Sequence, residues 1–221
     1  MSPWLGLFLC YVYIFAMIGA AEGLRRWRGF SSDFTRKFIH VSVGMMMWVV
    51  PVLFDSPWYF VGAAVSFMVL NFLDWRFGFL AAMASTDRSN LGTVYFPLAA
   101  AVVALLFWDN PPLMVAAVMP LTWGDGLAPV IGRAFGRHPY RVYGHTRTLE
   151  GSAAFVVMGF LSTWLALWLA AGEPALTAGA AFLPALVTAV LTALVEAVSI
   201  WGIDNLTVTM TAAIILGLWK F

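Results

Sequence analysis

One short stretch of this chain, from Gly124 to Ser152, concentrates charged side chains and glycines in an otherwise apolar sequence. It contains four arginines, two histidines and two acids, namely Arg133, Arg137, Arg141, Arg147, His138, His145, Asp125 and Glu150. A charge in hydrocarbon is costly unless it is paired or lines a cavity, and arginine holds phosphate through two parallel hydrogen bonds. The stretch therefore predicts a polar site that handles phosphate at a membrane surface.

Asp125 lies between Gly124 and Gly126 at the end of an apolar run. Because neither neighbour carries a side chain, a metal ion or a phosphate can come close to its carboxylate. Magnesium is typically held by one or two carboxylates together with phosphate oxygens and water. We predict a metal-binding or catalytic role for Asp125, and the alternative is a structural ion pair with a nearby arginine.

Arg133 and Arg137 are four residues apart, and each follows a glycine, Gly132 or Gly136, with which it forms a repeated pair. On a helix, residues at this spacing share a face, so the motif predicts a phosphate clamp. Simple anchoring at the cytoplasmic surface is the alternative. The chain has neither a P-loop motif nor a dinucleotide fingerprint, and we expect no nucleic-acid partner.

A second basic group, Arg36 and Lys37, stands four and three residues before His40. At these spacings all three side chains can cluster on one helix face, with His40 about one turn into the membrane. We predict that the cluster binds phosphate. The alternative for His40 is a structural histidine whose polar atoms are satisfied inside the helix bundle.

The end of the charged stretch predicts the start of a helix. Thr148 or Ser152 can cap it, and Glu150 suits the positive end of the helix dipole. A helix start beside Arg147 is also a site for an anion. Capping and anion binding therefore both remain open for these residues.

Two acids near the C-terminal end complete the set. Glu196 lies in an apolar helix and needs a partner there, for which a magnesium ion or Arg133 would serve. Asp204 and Asn205 open the last apolar run, where a helix cap and a substrate contact are both open. We predict that Asp125 and Asp204 are catalytic and that Asn205 contacts the nucleotide. Asp125 and Glu196 are the predicted magnesium ligands.

The rest of the chain must position these residues within a membrane. Of its 221 residues, 62% are hydrophobic and 10% are charged, whereas a soluble domain carries roughly 25% charged residues. Cys10, the single cysteine, provides neither a disulfide framework nor a zinc cluster. We predict one all-α domain over residues 1–221, a multi-pass bundle of eight spans, or seven because the last is short. The spans are residues 3–22, 37–54, 57–74, 93–108, 111–131, 152–171, 175–198 and 205–220.

The positions of the bases give a predicted orientation in the membrane. With eight spans, eleven of the twelve lysines and arginines fall on one side, and only Lys220 falls on the other. The eleven are Arg25, Arg26, Arg28, Arg36, Lys37, Arg76, Arg88, Arg133, Arg137, Arg141 and Arg147. Because positive loops face the cytoplasm, we expect a cytoplasmic active site and both termini outside.

The motifs, taken in chain order, resemble those of one family. They are Arg36-Lys37-x-x-His40, Gly124-Asp125-Gly126-x-Ala128, Gly132-Arg133-x-x-Gly136, Thr148-x-Glu150-Gly151-Ser152, Glu196 and Asp204-Asn205-Leu206-Thr207. Over about residues 34–210 the chain resembles the CTP-dependent lipid-alcohol kinases. These comprise phytol kinase, dolichol and polyprenol kinase and the yeast-type diacylglycerol kinase, and they are related to the CDP-diacylglycerol synthases. The order of the motifs is specific, whereas each motif alone is weak.

The resemblance implies phosphoryl transfer from CTP, or another nucleoside triphosphate, to a long-chain alcohol dissolved in the bilayer, and it implies magnesium. By motif position, the implied functional residues are Arg36, Lys37, Asp125 and Gly132. Two positions depart from the family: Thr146-Arg147 stands where a lysine is frequent, and Thr209 stands where proline is frequent. The related synthases suggest a homodimer.

Two other functions remain open. A cytidylyltransferase would use the same nucleotide and metal, but a lipid phosphate would attack the α-phosphate of CTP and release pyrophosphate. A transporter is less favoured, because transporters often contain inverted repeats with polar groups at mid-membrane. Here the charged groups gather at one face. The sequence does not identify the alcohol.

Overall fold

Proline and glycine set the limits of several helices in this protein. Pro3, Pro57 and Pro111 each stand in the first turn of a helix, where the N–H that proline lacks would be unpaired in any case. Gly29 and Gly78 follow the last residues of two helices with φ of 68° and 72°. Glycine adopts this left-handed conformation without strain, and in both helices the series of backbone hydrogen bonds ends there.

The computed structural model describes residues 1–83 and 89–221. The helices are α1 (Pro3–Arg28), α2 (Ser32–Met45), α3 (Val50–Leu53), α4 (Pro57–Phe77), α5 (Gly92–Phe107), α6 (Pro111–Met119), α7 (Gly126–Phe135), α8 (Leu149–Leu169), α9 (Ala178–Val198) and α10 (Asp204–Leu218). Short 3-10 turns occupy Met46–Trp48 and Ala81–Met83, and a π-helical segment occupies Pro120–Asp125. Arg88, one of the eleven bases of the predicted orientation, lies outside the described residues.

Five described helices are long and apolar enough to cross a membrane, which confirms a polytopic helical protein but not the count of eight spans. They are Pro3–Arg28, Pro57–Phe77, Pro111–Phe135, Leu149–Leu169 and Ala178–Val198. Two further apolar helices, Gly92–Phe107 and Asp204–Leu218, are shorter. The predicted span over residues 37–54 is divided, because α2 ends at Met45 and Pro51 interrupts the helical hydrogen bonds after the 3-10 turn.

The most buried of these five helices runs from Pro111 to Phe135 through α6, the π-helical segment and α7. It packs against α8 along much of its length and also contacts α2 and α10. Asp125 is the last residue of the π-helical segment. A π-helical turn inserts an extra residue into the helix and frequently lies at a functional site. In this helix the π-helical segment ends at Asp125, the acid for which the sequence predicts a metal-binding or catalytic role.

A short β-hairpin between α7 and α8 is an addition to the predicted all-α fold. Strands β1 (Pro139–Val142) and β2 (His145–Thr148) pair antiparallel, with Tyr140 opposite Arg147. Tyr143 and Gly144 form the two-residue turn with φ of 46° and 83°, the positive values that the tightest hairpin turns require. The part of the charged stretch between α7 and α8 is therefore an ordered hairpin and not only a loop.

The outer surface of the bundle is apolar, as lipid contact requires. Trp4, Phe8, Leu106 and Leu194 are between 60% and 75% exposed. In the interior, Ala181, Ala185 and other small side chains of α9 are fully buried, which lets membrane helices approach closely. Many large apolar side chains, whose exposure to water would be unfavourable, thus face outward, towards lipid.

Candidate active site

Lys37 and Asp125 form a buried ion pair between α2 and the end of the π-helical segment. Lys37 Nζ lies 2.6 Å from Asp125 Oδ2, and the two side chains are 16% and 6% exposed. The structural ion pair expected as an alternative for Asp125 is present, but its partner is a lysine and not an arginine. Removing either charge would leave the other unpaired in a poorly solvated place.

His40 lies beside this pair, as its spacing from Lys37 predicts. Its Nε2 atom is 2.9 Å from the carbonyl oxygen of Leu121 and 3.6 Å from Asp125 Oδ2. The imidazole also meets the ring of Phe96 edge-on, with centroids 5.0 Å apart. His40 is therefore fixed by protein contacts, and its binding of phosphate stays a prediction.

Two cavities meet at the Lys37–Asp125 pair. One is mainly apolar and runs between α1, α2, α4 and α5, with Ile14, Phe67 and Ala100 among its walls. The other is polar and lies under the β-hairpin. Arg36, Lys37 and Asp125 line both. A molecule with an apolar tail and a polar end could thus meet a charged molecule at Asp125.

The polar cavity draws its walls from five regions that are distant in sequence. Predicted site residues on its wall are Arg36, Lys37, Asp125, Gly132, Arg133, Arg147, Glu196 and Asp204. His40 and Asn205 instead line the apolar cavity, close to the shared residues. The structure therefore brings ten of the predicted residues to one pair of connected cavities.

Arg147 fastens the β-hairpin to the end of α9. Its guanidinium forms an ion pair with Glu196 and donates a second hydrogen bond of 2.7 Å to the carbonyl oxygen of Ser199. The suggestion that Arg133 partners Glu196 is wrong. Arg133 instead reaches Asp33 at the start of α2, 3.2 Å away, because α7 lies beside α2 while Glu196 faces the hairpin.

Asp204 and Asn205 begin α10 without capping it. The residue at the cap position is Ile203, which provides no side-chain acceptor. Asp204 Oδ1 accepts hydrogen bonds from the backbone N–H and the side-chain amide of Asn205, at 2.9 and 3.0 Å. Asp204 and Asp125 both line the polar cavity. The helix cap, one of the two roles that the sequence left open, is therefore absent, and the substrate contact stays a prediction.

The phytol kinase of Synechocystis is 30% identical to this chain over 214 residues, which cover 96% of this chain and 90% of that protein. This chain belongs to the lipid-alcohol kinase family. The farnesol kinase of Arabidopsis thaliana is 27% identical over 202 residues, 84% of this chain and 65% of that protein. A probable phytol kinase of Glycine max is 26% identical over 84% of this chain and 63% of its own length. No family model and no solved structure matches the chain.

Two predicted phosphate-binding residues of this family member lie away from the polar cavity. Arg137 does not share a helix face with Arg133, because α7 ends at Phe135 and the extended Gly136 and the following Pro139 take the chain into β1. Glu150 accepts from His138, with Nδ1 2.6 Å from Oε1. Glu150 is therefore placed to hold the hairpin region, and a direct role of either residue in nucleotide binding stays a prediction.

The glycines of the motifs serve close helix packing in this kinase-family fold. A side chain at Gly126 would meet Val41 of α2, and one at Gly124 would meet Phe155 of α8. Gly136 likewise lies against Thr148. Neighbouring helices occupy the space beside Gly124 and Gly126, while Asp125 between them still lines both cavities, so the approach of a ligand to its carboxylate stays a prediction. Gly132 alone among the predicted glycines also lines the polar cavity.

Sequence reasoning missed the wall formed by the start of α5 and the segment before α10. Asn90 Oδ1 accepts from Gly92 N at 2.9 Å, and Leu91 N donates to Trp201 O at 3.1 Å. Asn90, Trp201 and Gly202 all line the polar cavity. Their signal in the sequence was weak, since Asn90 and Gly202 resemble ordinary turn residues.

The helix-cap prediction at Thr148 is confirmed. Thr148 Oγ1 accepts from Gly151 N at 3.1 Å, which satisfies one of the free N–H groups at the start of α8. Ser152, the other candidate for the cap, instead pairs with the Tyr140 hydroxyl at 2.7 Å. One side chain from each strand of the hairpin, Tyr140 from β1 and Thr148 from β2, thus fixes the start of α8.

Proposed function

We propose that this protein transfers the γ-phosphoryl group of CTP, or of another nucleoside triphosphate, to an isoprenoid alcohol dissolved in the membrane. The observation that carries the proposal is the junction at Asp125, where the apolar cavity meets the polar one. The tail of the alcohol would lie in the apolar cavity, and its hydroxyl would reach Asp125. The phytol and farnesol kinases among the relatives support an isoprenoid substrate.

The proposed chemistry uses residues that line the junction. The hydroxyl oxygen of the alcohol forms a bond to the γ-phosphorus, the bond from that phosphorus to the β-phosphate oxygen breaks, and the nucleoside diphosphate leaves. The hydroxyl proton passes to the Asp125 carboxylate. For this step Lys37 must exchange its contact with Asp125 for a phosphate oxygen, an exchange that a lysine ammonium of flexible reach can make.

Charge and hydrogen-bonding capacity favour phosphate binding in the polar cavity. Arg36, Arg133 and Arg147 all line it. Arg36 Nε is buried and has no hydrogen-bond partner within the described residues. A buried donor in that condition calls for an acceptor, and a phosphate oxygen would supply one.

Magnesium fits the carboxylates of the polar cavity. The described residues contain no preformed group of three or more acidic or histidine ligands, but Mg²⁺ needs only one or two carboxylates when phosphates complete its shell. We propose Asp125 and Asp204, which both line this cavity, as that pair. Magnesium would neutralise charge on the transferred phosphate. The sequence-based assignment of Glu196 stays a prediction, since Arg147 holds its carboxylate.

The distribution of bases supports an active site on the cytoplasmic face. Arg36, Lys37, Arg133 and Arg147 line the polar cavity, and the positive-inside tendency assigns such basic ends to the cytoplasm. That compartment also supplies nucleoside triphosphate and magnesium. A homodimer, which the related synthases suggest, does not enter the proposed chemistry.

Transfer of labelled phosphate tests the proposal directly. The protein in lipid nanodiscs is given γ-labelled CTP, ATP, GTP or UTP with magnesium and prenyl alcohols, and the label in the lipid phase is counted. We expect transfer with at least one nucleotide and alcohol, and loss of about 10²-fold or more in the Asp125→Asn variant. Asp109→Asn, at the turn before α6, is the matched control and keeps full activity.

Two results would overturn the proposed kinase. The first is full activity of a folded Asp125→Asn variant, which would remove the proposed base. The second is absence of label transfer together with pyrophosphate release from CTP and a lipid phosphate, which would identify a cytidylyltransferase.

A further inference from the structure

The apolar cavity has an open polar end and a closed deep end. Lys37, Gly92 and Asn205 lie at the polar end, near the start of their helices. At the other end, Ala100 lies in the middle of α5, Met46 follows the last residue of α2, and Cys10 lies in the N-terminal half of α1. The tail of a bound alcohol would therefore point from Asp125 towards these three residues.

The deep end is sealed by tightly packed side chains. Cys10, Met46 and Ala100 are 1%, 5% and 4% exposed and belong to the main core of the bundle. The Cys10 thiol contacts Met46 Sδ at 3.6 Å, which joins α1 to the turn after α2. Met47 and Phe60, which are 2% and 7% exposed, also line this end of the cavity, so a tail that reaches it meets packed side chains and must stop or bend.

The depth of the cavity matches a short isoprenoid. The nine steps from Lys37 to Met46 advance about 14 Å along α2 to the first residue of the 3-10 turn, and the eight from Gly92 to Ala100 advance about 12 Å along α5. An isoprene unit adds four chain bonds where an amino-acid residue adds three, so it spans roughly 4.5 Å when extended. About three units therefore fit before the tail meets the closed end.

We propose that Met46 and Ala100, backed by Cys10, set the longest tail that this protein accepts. The inference rests on the proposed function, in which the tail occupies this cavity. Alcohols of two or three isoprene units fit without deformation, and a fourth unit must fold against Met46. Polyprenols of six or more units meet the sealed end.

Two substitutions change the depth in opposite directions. Ala100→Leu fills the deep end, and Met46→Ala opens it. The phosphorylation rate is measured for prenyl alcohols of two, three, four and six units, with the two-unit alcohol as an internal control for folding and chemistry. We expect Ala100→Leu to lower kcat/KM for the four-unit alcohol by about tenfold or more and to spare the two-unit alcohol. We expect Met46→Ala to raise activity on the six-unit alcohol.

Met114→Ala is the matched control for Met46→Ala. Met114 is a fully buried methionine of the same core that does not line the cavity, so its truncation lowers stability without changing the preference for tail length. If Ala100→Leu fails to fold, the Met46→Ala and Met114→Ala pair decides alone. Equal changes for all tail lengths in Met46→Ala would overturn the inference.

A second readout separates this inference from the proposed kinase activity. The thermal shift that each alcohol produces in the wild type and in Met46→Ala, in the same nanodiscs, reports tail binding without phosphoryl transfer. If the wild type transfers no phosphate but its thermal shift falls beyond four units, and Met46→Ala extends that limit, the cavity still measures length while the kinase proposal fails. The same length dependence in both proteins contradicts the inference.

Discussion

Lys37 Nζ lies 2.6 Å from Asp125 Oδ2, although the two residues are 88 positions apart in the sequence. The pair stands where the apolar and polar cavities meet. A cation and an anion at this point can serve two partners, since Lys37 suits a phosphate and Asp125 suits a hydroxyl proton. The fold thus holds both groups ready in a poorly solvated place.

We predict that substitutions at Lys37 and Asp125 are coupled in their effect on stability but not in their effect on activity. Lys37→Gln alone or Asp125→Asn alone leaves one buried charge unpaired, which costs about 3–5 kcal/mol. The double variant has no unpaired charge and recovers most of that loss, while it stays inactive. Thermal unfolding and label transfer measure the two effects. Strictly additive losses of stability would show that the two charges do not depend on one another.

The attachment of the hairpin to the end of α9 should depend on the shape of the Arg147 side chain and not only on its charge. Arg147→Lys keeps the charge but cannot bind Glu196 and the Ser199 carbonyl together, because lysine lacks the planar fork. We expect the KM for the nucleotide to rise and protease cleavage of the hairpin to accelerate. Arg141→Lys, on the exposed side of β1, is the control and leaves both unchanged. Equal behaviour of the two variants would contradict the anchoring role.

Magnesium dependence should distinguish Asp204 from Glu196. If Asp204 is the second ligand beside Asp125, Asp204→Asn raises the magnesium concentration for half-maximal activity by about tenfold or more. Glu196→Gln frees Arg147 and weakens nucleotide binding with little change in that concentration. Activity is titrated with magnesium after removal by a chelator. The opposite pattern would return the ligand role to Glu196.

Gly132→Ala should force the contact between α7 and the start of α8 apart and lower the stability of the protein. A Cβ atom at Gly132 would lie 2.8 Å from Thr148 Oγ1 and 3.4 Å from Gly151 Cα, so the helix start would have to shift. We expect a loss of about 1–3 kcal/mol in stability. Gly62→Ala in α4 meets no atom within 4 Å and should stabilise its helix by about 0.5–1 kcal/mol. Unfolding temperatures in the same detergent provide the comparison.

Much of the fold followed from local sequence properties. Long apolar runs with proline at their starts gave the positions of the main helices. The break after Met45 and the hairpin from Pro139 to Thr148 did not follow, because neither has a strong local pattern. The Tyr143-Gly144 turn, with its aromatic first residue, lacks the Asn-Gly or Asp-Gly signal of such turns.

The candidate site was predictable in its membership but not in its pairings. Family-like motifs and isolated charges marked Arg36, Lys37, Asp125 and Glu196 before any geometry was known. Their partners were different from those expected: Asp125 pairs with lysine, and Glu196 pairs with Arg147. Spacing along a helix predicts neighbours on that helix only, whereas these contacts join separate elements.

The sequence by itself determined a membrane-embedded helical protein whose basic residues gather at one end, because composition and residue spacing are local properties. Only the tertiary structure decided that Lys37 faces Asp125, and that Arg147 of the hairpin pairs with Glu196, 49 positions away in the sequence. The tertiary structure also decided that an apolar cavity lined by Met46 meets a polar one at Asp125. These features depend on how helices pack against one another. Packing is set by the fit of many side chains at once, and no single segment of the chain encodes that fit.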